Sequence, residues 1–497
     1  MRYVGFSEYF HDAGLAIVSE EGNIDFASHA ERFSKIKFDP VLHKDLKYKV
    51  SEHDHVTYYE DVFLREKKMK EIMTNNRKHW ELGVQNSFYD KILNHEYSLE
   101  FDEYISHHQS HAANGFYTRP WDDVENTVII SMDGVGEFES HCMYDHKFNK
   151  KHAWVAPKSL GLTYTKVTKM IGLRSMEDEF VTMGLASFGE PVWGDEMYEW
   201  FKWLNGQDGF TKKQSPRPWV TKMERALEDA TSKGQSKAMK VVYDMSASVQ
   251  YMTEKVMIER AKLARKYGSK LILTGGVAQN IVCASQIRDI FDDMWIPIAP
   301  NDAGSALGAA AWSYSKATGK TKVNWEHPYL GHNIDREINP KEVVAYLLKN
   351  KVCGVANGRA EFGPRALGNR SLLADARYDV KDTVNKIKKR QLYRPFAPAI
   401  LEEYAHEYFE GHMNEYMQYQ CKALHDYSSV THVDGTARVQ LVRKDSPSIL
   451  RQILEEFYNQ TGVPMLLNTS LNIRGQPMVN DERDAAMFEE RYNVKVF

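Results

Sequence analysis

The chain has 497 residues, with 64 Lys and Arg against 68 Asp and Glu, for a net charge of −4. That length predicts roughly two to four domains, and an apolar fraction of 42% excludes wholesale disorder. The near-balanced charge argues against a protein that mainly coats nucleic acid. The four dispersed cysteines, Cys142, Cys283, Cys353 and Cys421, exclude a disulfide framework or thiolate zinc site and suit a reducing compartment.

At the N-terminus, Glu8, His11 and Asp12 interrupt what a signal peptide would need as a continuous apolar stretch. No run approaches the ~18 apolar residues of a membrane helix, so a cytoplasmic location is expected. Tyr3–Phe6 predicts a strand that ends in the polar turn Ser7–Gly14. The basic run from Arg65 to Trp80 interleaves cations with an aromatic residue, as does Thr211–Lys222 with Trp219. Such runs are either solvated faces or surfaces for a nucleic-acid strand.

In Ser106–Ala113, His107 and His111 stand one helical turn apart, able to hold one metal ion through two imidazoles or to be ordinary hydrogen-bonded histidines. Thr127–Met132 predicts a second strand, running into Asp133-Gly134-Val135-Gly136-Glu137. Lys202–Lys240 reads as an insertion or a pair of surface helices, and Asp244–Lys266 as an amphipathic helix ending at Gly268. Lys270–Thr274 predicts a third strand, running into Gly275-Gly276-Val277-Ala278-Gln279-Asn280. Glycines in these turns let backbone N–H groups approach a phosphate. Strand and helix alternating in this way predict an α/β fold.

Asn301-Asp302-Ala303-Gly304 opens a small-residue helix; Asp302 is either its cap or a third metal ligand beside the two histidines, and both can hold. The texture turns polar over Tyr329–Pro340, which predicts a connector between a domain of residues 1–335 and a second of residues 340–497. The second block opens with helix-like Lys341–Leu348 and strand-like Val352–Val355. It then sets Arg359, Arg365, Arg370, Arg394 and Arg438 among Gly and Pro, with His432 nearby. Guanidinium forks there suit phosphate or carboxylate, although pairing with Glu361, Asp375 and Asp434 would account for about half of them. Asn468, Ser470 and Asn472 end a strand in amides and a hydroxyl, which is turn chemistry or a neutral contact for a polar ligand.

The order HDAG, HHQSHAANGFY, DGVGE, EFVTMGLASFGEP, GGVAQN and NDAGSALGAA, then GRAEFGPRALGNRSLLADAR, RPFAPAI, THVDGTARVQ and NTSLN, resembles the O-carbamoyltransferase family of nodulation and antibiotic-tailoring enzymes. The resemblance implies an actin-like, sugar-kinase-like (ASKHA) ATPase domain followed by a smaller α/β YrdC-like domain. It implies that carbamoyl phosphate yields carbamate, that carbamate and ATP give carbamoyladenylate and pyrophosphate, and that the carbamoyl group passes to an acceptor hydroxyl.

By the same resemblance His107, His111 and Asp302 would hold a divalent metal (iron, or Mn or Zn), with Mg accompanying ATP. Nucleotide would meet Asp133, Gly134, Gly136, Gly275, Gly276 and Asn280. His11 would orient or deprotonate the acceptor. Arg359, Arg365, Arg370, Arg394, His432 and Arg438 would hold carbamoyl phosphate, with Asn468, Ser470 and Asn472 on its amide.

The acceptor would be a sugar or natural-product hydroxyl, or a hydroxymethylated base in DNA of the kind a viral relative could carbamoylate, in which case the host cytoplasm would be the location. A homodimer and the absence of membrane contact are further expectations. The other functions weighed are a tRNA threonylcarbamoyl transferase, which the arginine-rich second block disfavours, and a non-enzymatic actin-like scaffold, which would have no use for that block.

Overall fold

The apolar run after Arg2 forms strand β1 (Tyr3–Ser7), all five residues buried. It pairs antiparallel with β2 (Gly14–Val18) and parallel with β4 (His55–Tyr58); β2 pairs antiparallel with β3 (Ile24–His29), and β4 parallel with β5 (Glu103–Tyr104). The sheet order is β3-β2-β1-β4-β5. Helix α1 (His107–Tyr117) follows β5 directly, its first residue preceded by the extended Ser106. The computed structural model describes residues 1–74, 88–155, 158–206 and 217–497. They form two units: one takes the described residues of 1–62, 87–120 and 296–497, the other those of 63–86 and 121–295.

The second unit repeats the topology of the first. Strand β6 (Thr127–Met132) pairs antiparallel with β7 (Glu139–Asp145), which pairs antiparallel with β8 (Lys150–Val155). On its other side β6 pairs parallel with β9 (Lys270–Thr274), and β9 with β10 (Asp293–Trp295), so the order is β8-β7-β6-β9-β10. Both predicted apolar runs, at Thr127 and Lys270, are therefore central strands. The two sheets share one order and one set of strand senses, a duplication in keeping with the actin-like, sugar-kinase-like resemblance. The long helix α2 (Gln235–Ala264) buries Val249, Met252 and Val256 within this unit, as their spacing predicts.

The basic runs fare differently from their expectation. The helix Val62–Thr74 covers part of the first, but Arg65 and Lys68 are buried, and Lys68 Nζ donates to the Gly136 carbonyl at 2.6 Å. Trp219 is fully buried and packs edge-on against Trp200 at 5.6 Å, so it offers no face for a base to stack on. Trp80 and residues 211–216 lie outside the described residues. No helix among the described residues is long and apolar enough to cross a membrane.

Back in the first unit, helix α3 (Asp302–Thr318) packs on β1 and on α1 through small residues. A Cβ on Gly5 would strike the Ala306 carbonyl, and one on Gly308 the Ser110 carbonyl. This backbone-to-backbone approach is what a run rich in Ala, Gly and Ser permits, and it draws the start of α3 toward the start of α1.

The stretch expected to be a mere connector contains strand β11 (Tyr329–Ile334). Its Tyr329, Leu330 and Ile334 are buried, and the polar Asn333 points outward, which masked the strand in the sequence. After helix α4 (Pro340–Asn350) and strand β12 (Val352–Ala356), strand β13 (Gly358–Glu361) pairs antiparallel with β11.

A five-stranded sheet, order β12-β14-β20-β15-β19, organises the C-terminal block. It adds β14 (Arg370–Ala374), β15 (Ala397–Leu401), β19 (Gln440–Val442) and β20 (Met465–Ser470). Short strands β16 (Phe409–Glu410), β17 (Cys421–Ala423) and β18 (Thr436–Ala437) form a small antiparallel sheet beside it in sequence. Along β20, Met465 and Leu467 join one apolar cluster and Leu466 another, so both faces of the larger sheet are covered. The second cluster includes Val343, Val344 and Leu347 of α4. Helix α5 (Lys381–Ile387) precedes a basic turn that carries much of the site.

Candidate metal centre and anion site

The first constellation lies in the first unit, where α3 begins against α1. His107 and His111 lie on one face of α1 and are fully buried, with Nε2 atoms 3.2 Å apart. Their Nδ1 atoms face elsewhere: His107 Nδ1 is 3.1 Å from Glu60 Oε1, and His111 Nδ1 is 3.1 Å from Ser305 Oγ. Such outer partners fix each ring with Nε2 inward, as in metal sites.

Asp302 stands opposite, fully buried, with Oδ1 at 3.2 Å from His111 Nε2 and 3.8 Å from His107 Nε2. Both of its carboxylate oxygens lack a hydrogen-bond partner. The capping reading of Asp302 therefore fails: Asn301 is the N-cap residue, and Asp302 accepts no backbone N–H.

An isolated buried carboxylate is expensive unless it is paired or binds metal. Two nitrogens each about 2.05 Å from one ion, at about 100°, stand about 3.1 Å apart. The donor set, its spacing and the orphaned carboxylate thus fit a divalent ion.

His11 sits in the turn after β1, where Tyr9 and Asp12 adopt left-handed φ of 70° and 56°. Its Nδ1 is 3.1 Å from Asp12 Oδ2, and its Nε2 is 4.0 Å from Asp302 Oδ2. Burial alone would raise the Asp12 pKa, but the His11 hydrogen bond and the charges of His11, His29 and Lys37 outweigh it and lower it. Asn301 Nδ2 also donates to Asp12 Oδ2, at 2.8 Å, tying the turn to the start of α3.

In the second unit, the two glycine turns follow adjacent parallel strands at their carboxyl ends, the usual place for a ligand in an α/β sheet. They are neighbours: a Cβ on Gly276 would lie 3.0 Å from Asp133 Oδ1. Gly275, at φ 87°, packs against the Met132 carbonyl. The N–H groups of Gly134 and Gly136 are not free to cradle a phosphate, since they donate to Asp133 Oδ1 and to the Glu139 carbonyl, both at 2.7 Å. Asn280 is likewise committed, capping Cys283 N–H at 3.1 Å and bonding Gln250.

The predicted arginine set divides. Arg370 is fully buried and donates to the carbonyls of His332, Asn357, Gly358, Asn369 and Asn480. Arg359 donates to the carbonyls of Asp25, Leu330 and Gly331. Both fasten backbone around β11 and β13. His432 is held by Asp434, Nδ1 to Oδ1 at 3.3 Å, inside its own turn. Burial opposes the ionised Asp434, yet hydrogen bonds from His432 and Thr436 hold its pKa low.

Arg365, Arg394 and Arg438 do come together, joined by Lys388 and Arg390, which the sequence reading missed in the basic turn after α5. Burial and then the charge of Arg394 push Arg365 down to about 10. Burial and the charges of Arg365, Arg390 and Arg394 hold Arg438 far below its ordinary value. Lys388 and Arg390 are depressed by burial and by their neighbours in the same way. Among the described residues no carboxylate offsets these four, and Arg438 Nε has no acceptor.

Lys388 Nζ reaches Asn472 Oδ1 at 2.8 Å and Ser470 Oγ at 3.3 Å. Asn468, two residues before Ser470 on the same face of β20, has a buried Oδ1 without a donor. The buried Lys388 and the half-buried Arg365, Arg390 and Arg438, with an idle amide acceptor in the same block, complement a small molecule that is anionic at one end and carries N–H at the other.

His29, at the end of β3, accepts the Gly363 N–H at 3.1 Å, two residues before Arg365. Burial, then Arg32, lowers its pKa from 6.5 to about 4. The unfolded chain therefore binds a proton at His29 that the folded chain refuses between those values, and stability falls as pH drops through that window. We expect this group to cost about 3 kcal/mol by pH 4. Denaturation midpoints of wild type and His29→Gln at pH 7 and pH 4.5 check it: the wild type should lose more on acidification.

Comparison with known proteins adds the following. The carbamoyltransferase N-terminus family matches residues 2–311, and the carbamoyltransferase C-terminus family matches residues 344–497. Nodulation protein NolNO of Sinorhizobium fredii is 31% identical over 96% of this chain and 76% of that protein. Nodulation protein NolO of Bradyrhizobium diazoefficiens is 32% identical over 77% of this chain and 75% of that protein. Among solved structures, the activator of 2-hydroxyisocaproyl-CoA dehydratase from Clostridium difficile is 15% identical with a TM-score of 0.35, over 64% of this chain and 96% of that one.

Proposed function

The chain belongs to the carbamoyltransferase family and is a carbamoyl-transferring enzyme, and from that premise we propose that it is an ATP-dependent O-carbamoyltransferase using carbamoyl phosphate. The observation that carries this reading is the gathering of Arg365, Lys388, Arg390 and Arg438, each depressed by burial and then by its neighbours' charge, in the block that also holds the idle Asn468 Oδ1. Lys388, Arg365, Arg390, Arg394 and Arg438 take the phosphate, while Asn468, Ser470 and Asn472 take the carbamoyl amide. Addition of water then gives carbamate and inorganic phosphate. We place the boundary between this carbamoyl-phosphate block, of YrdC-like type, and the ATP-dependent block at residues 335–340.

In the ATP-dependent block, a carbamate oxygen attacks the α-phosphorus of ATP, forming carbamoyladenylate and releasing pyrophosphate. The acceptor hydroxyl then attacks the carbamoyl carbon, and AMP leaves. Asp12 holds His11 through Nδ1 and orients the ring, and His11 takes the hydroxyl proton at Nε2. The glycine turns after β6 and β9 let nucleotide approach the backbone. His107, His111 and Asp302 would hold a divalent ion, which supplies Lewis-acid polarisation and neutralises phosphate charge. We take the acceptor to be a small-molecule hydroxyl: of the two tryptophans that favoured a DNA strand, Trp219 is buried and Trp80 lies outside the described residues.

The test is ATP–pyrophosphate exchange in the presence and absence of carbamoyl phosphate. Exchange that requires carbamoyl phosphate is expected. Exchange indifferent to it, or none in metal-loaded protein, overturns the proposal.

A further inference from the structure

Ser371, on β14, is a buried polar residue that neither constellation uses. It is fully buried, and its Oγ has no hydrogen-bond partner. The sheet register sets it opposite Ser470 of β20, and sets Leu373 opposite Asn468. Residues opposed across antiparallel strands, and residues two apart along one strand, project to the same face. Ser371, Ser470 and Asn468 therefore share a face, which Leu373 and Leu466 continue as apolar surface.

The unbonded oxygen of Asn468 is an acceptor by necessity. Asn468 Nδ2 donates to the Ala366 carbonyl at 3.1 Å and to Gln440 Oε1 at 2.7 Å. Gln440 Nε2 in turn donates to the Leu367 carbonyl at 2.9 Å. Two backbone carbonyls thus fix both amides, since turning either amide over would set oxygen against oxygen. Only a donor can satisfy Asn468 Oδ1, and it is buried without one.

This polar face is tied to the cations at two points. Ala366 and Leu367, whose carbonyls anchor the two amides, directly follow Arg365. Ser470, the partner of Ser371 in the register, receives Lys388 Nζ at its Oγ, at 3.3 Å.

We propose that Ser371 is a specificity-determining residue of the anion site, accepting one N–H of the carbamoyl amine while Asn468 Oδ1 accepts the other. Two acceptors on one NH2 group stand about 5 Å apart, from bonds of about 2.9 Å at about 120°. Diagonal neighbours on paired strands have Cβ atoms up to about 7–8 Å apart, a gap that the asparagine side chain shortens. The pair selects by chemistry rather than by size. Acetyl phosphate carries a methyl group where carbamoyl phosphate carries the amine, so it would fill the same space and leave both buried acceptors without a donor. A site built on such hydrogen bonds rejects the analogue lacking them far more strongly than an apolar pocket rejects a missing methylene. Inorganic phosphate, which needs only the cations, is indifferent to Ser371.

The inference rests on the proposed use of carbamoyl phosphate, and its test tells the two apart. Phosphate release from carbamoyl phosphate is measured with metal-loaded wild type, Ser371→Ala and Ser371→Cys, with acetyl phosphate and inorganic phosphate as competing inhibitors. Ser371→Ala should lower kcat/KM for carbamoyl phosphate about ten- to a hundredfold. Its inhibition constants for acetyl phosphate and inorganic phosphate should stay within about twofold of wild type, whereas a structural role would weaken all three ligands together. Ser371→Cys keeps the size but offers a poor acceptor, so it should match the alanine variant, and it decides the matter if that variant does not fold. Unchanged selectivity between carbamoyl and acetyl phosphate, or equal weakening of all three ligands, overturns the assignment. If wild type releases no phosphate from carbamoyl phosphate, the underlying reading fails instead.

Discussion

Asp302→Asn is expected to abolish metal binding and carbamoyl transfer while making the metal-free protein more stable. Loss of metal affinity should exceed the ten- to hundredfold that outer partners command, since Asp302 is a direct ligand candidate, so turnover should drop by at least about a hundredfold. The stability gain follows from the orphaned oxygens. Without an ion, a buried carboxylate faces His107 and His111 with no hydrogen bond. The isosteric amide removes that penalty, about 1–3 kcal/mol. Metal content by mass spectrometry and melting curves with and without added Mn(II) measure both effects. Wild type should be stabilised by the ion and Asp302→Asn should not. A variant that keeps stoichiometric metal refutes the assignment.

Arg438→Met should show the same opposition between function and stability at the other site. Arg438 is depressed by burial and then by three neighbouring cations, and its Nε is unbonded, so the ligand-free protein gains from its removal. With carbamoyl phosphate the balance reverses, because a buried charged hydrogen bond to the phosphate is lost. A loss of about 2–4 kcal/mol corresponds to about thirty- to a thousandfold in kcat/KM. Inorganic phosphate should raise the melting temperature of the wild type and have less effect on the variant. Equal response of both proteins to phosphate would show that Arg438 does not face the anion.

Much of this was readable from residue patterns, and the exceptions have physical causes. The runs at Tyr3, Thr127 and Lys270 are apolar and of strand length because they are central strands covered by helices. His107, His111 and Asp302 stood out because helical spacing and a polar residue ahead of a small-residue run are local features. Arg359 and Arg370 looked like anion ligands, yet their guanidiniums bind carbonyls that only the folded chain brings near them. Lys388 and Arg390 were passed over for the opposite reason. A Lys-Lys-Arg turn resembles any solvated basic stretch until burial sets its charges against each other. Ser371 offered no local signal, since its significance depends on Ser470 and Asn468, which only the pairing of β14 with β20 brings to it.

The route of α3 constrains how the protein is made. Its small side chains are the cover for β1, yet it is encoded after the whole second unit. During synthesis the N-terminal sheet therefore waits, with its central strand unshielded, until the ribosome has passed residue 318. In sequence, residues 121–295 lie between the two segments that must find each other, so the amino-terminal strands stay exposed longest during synthesis.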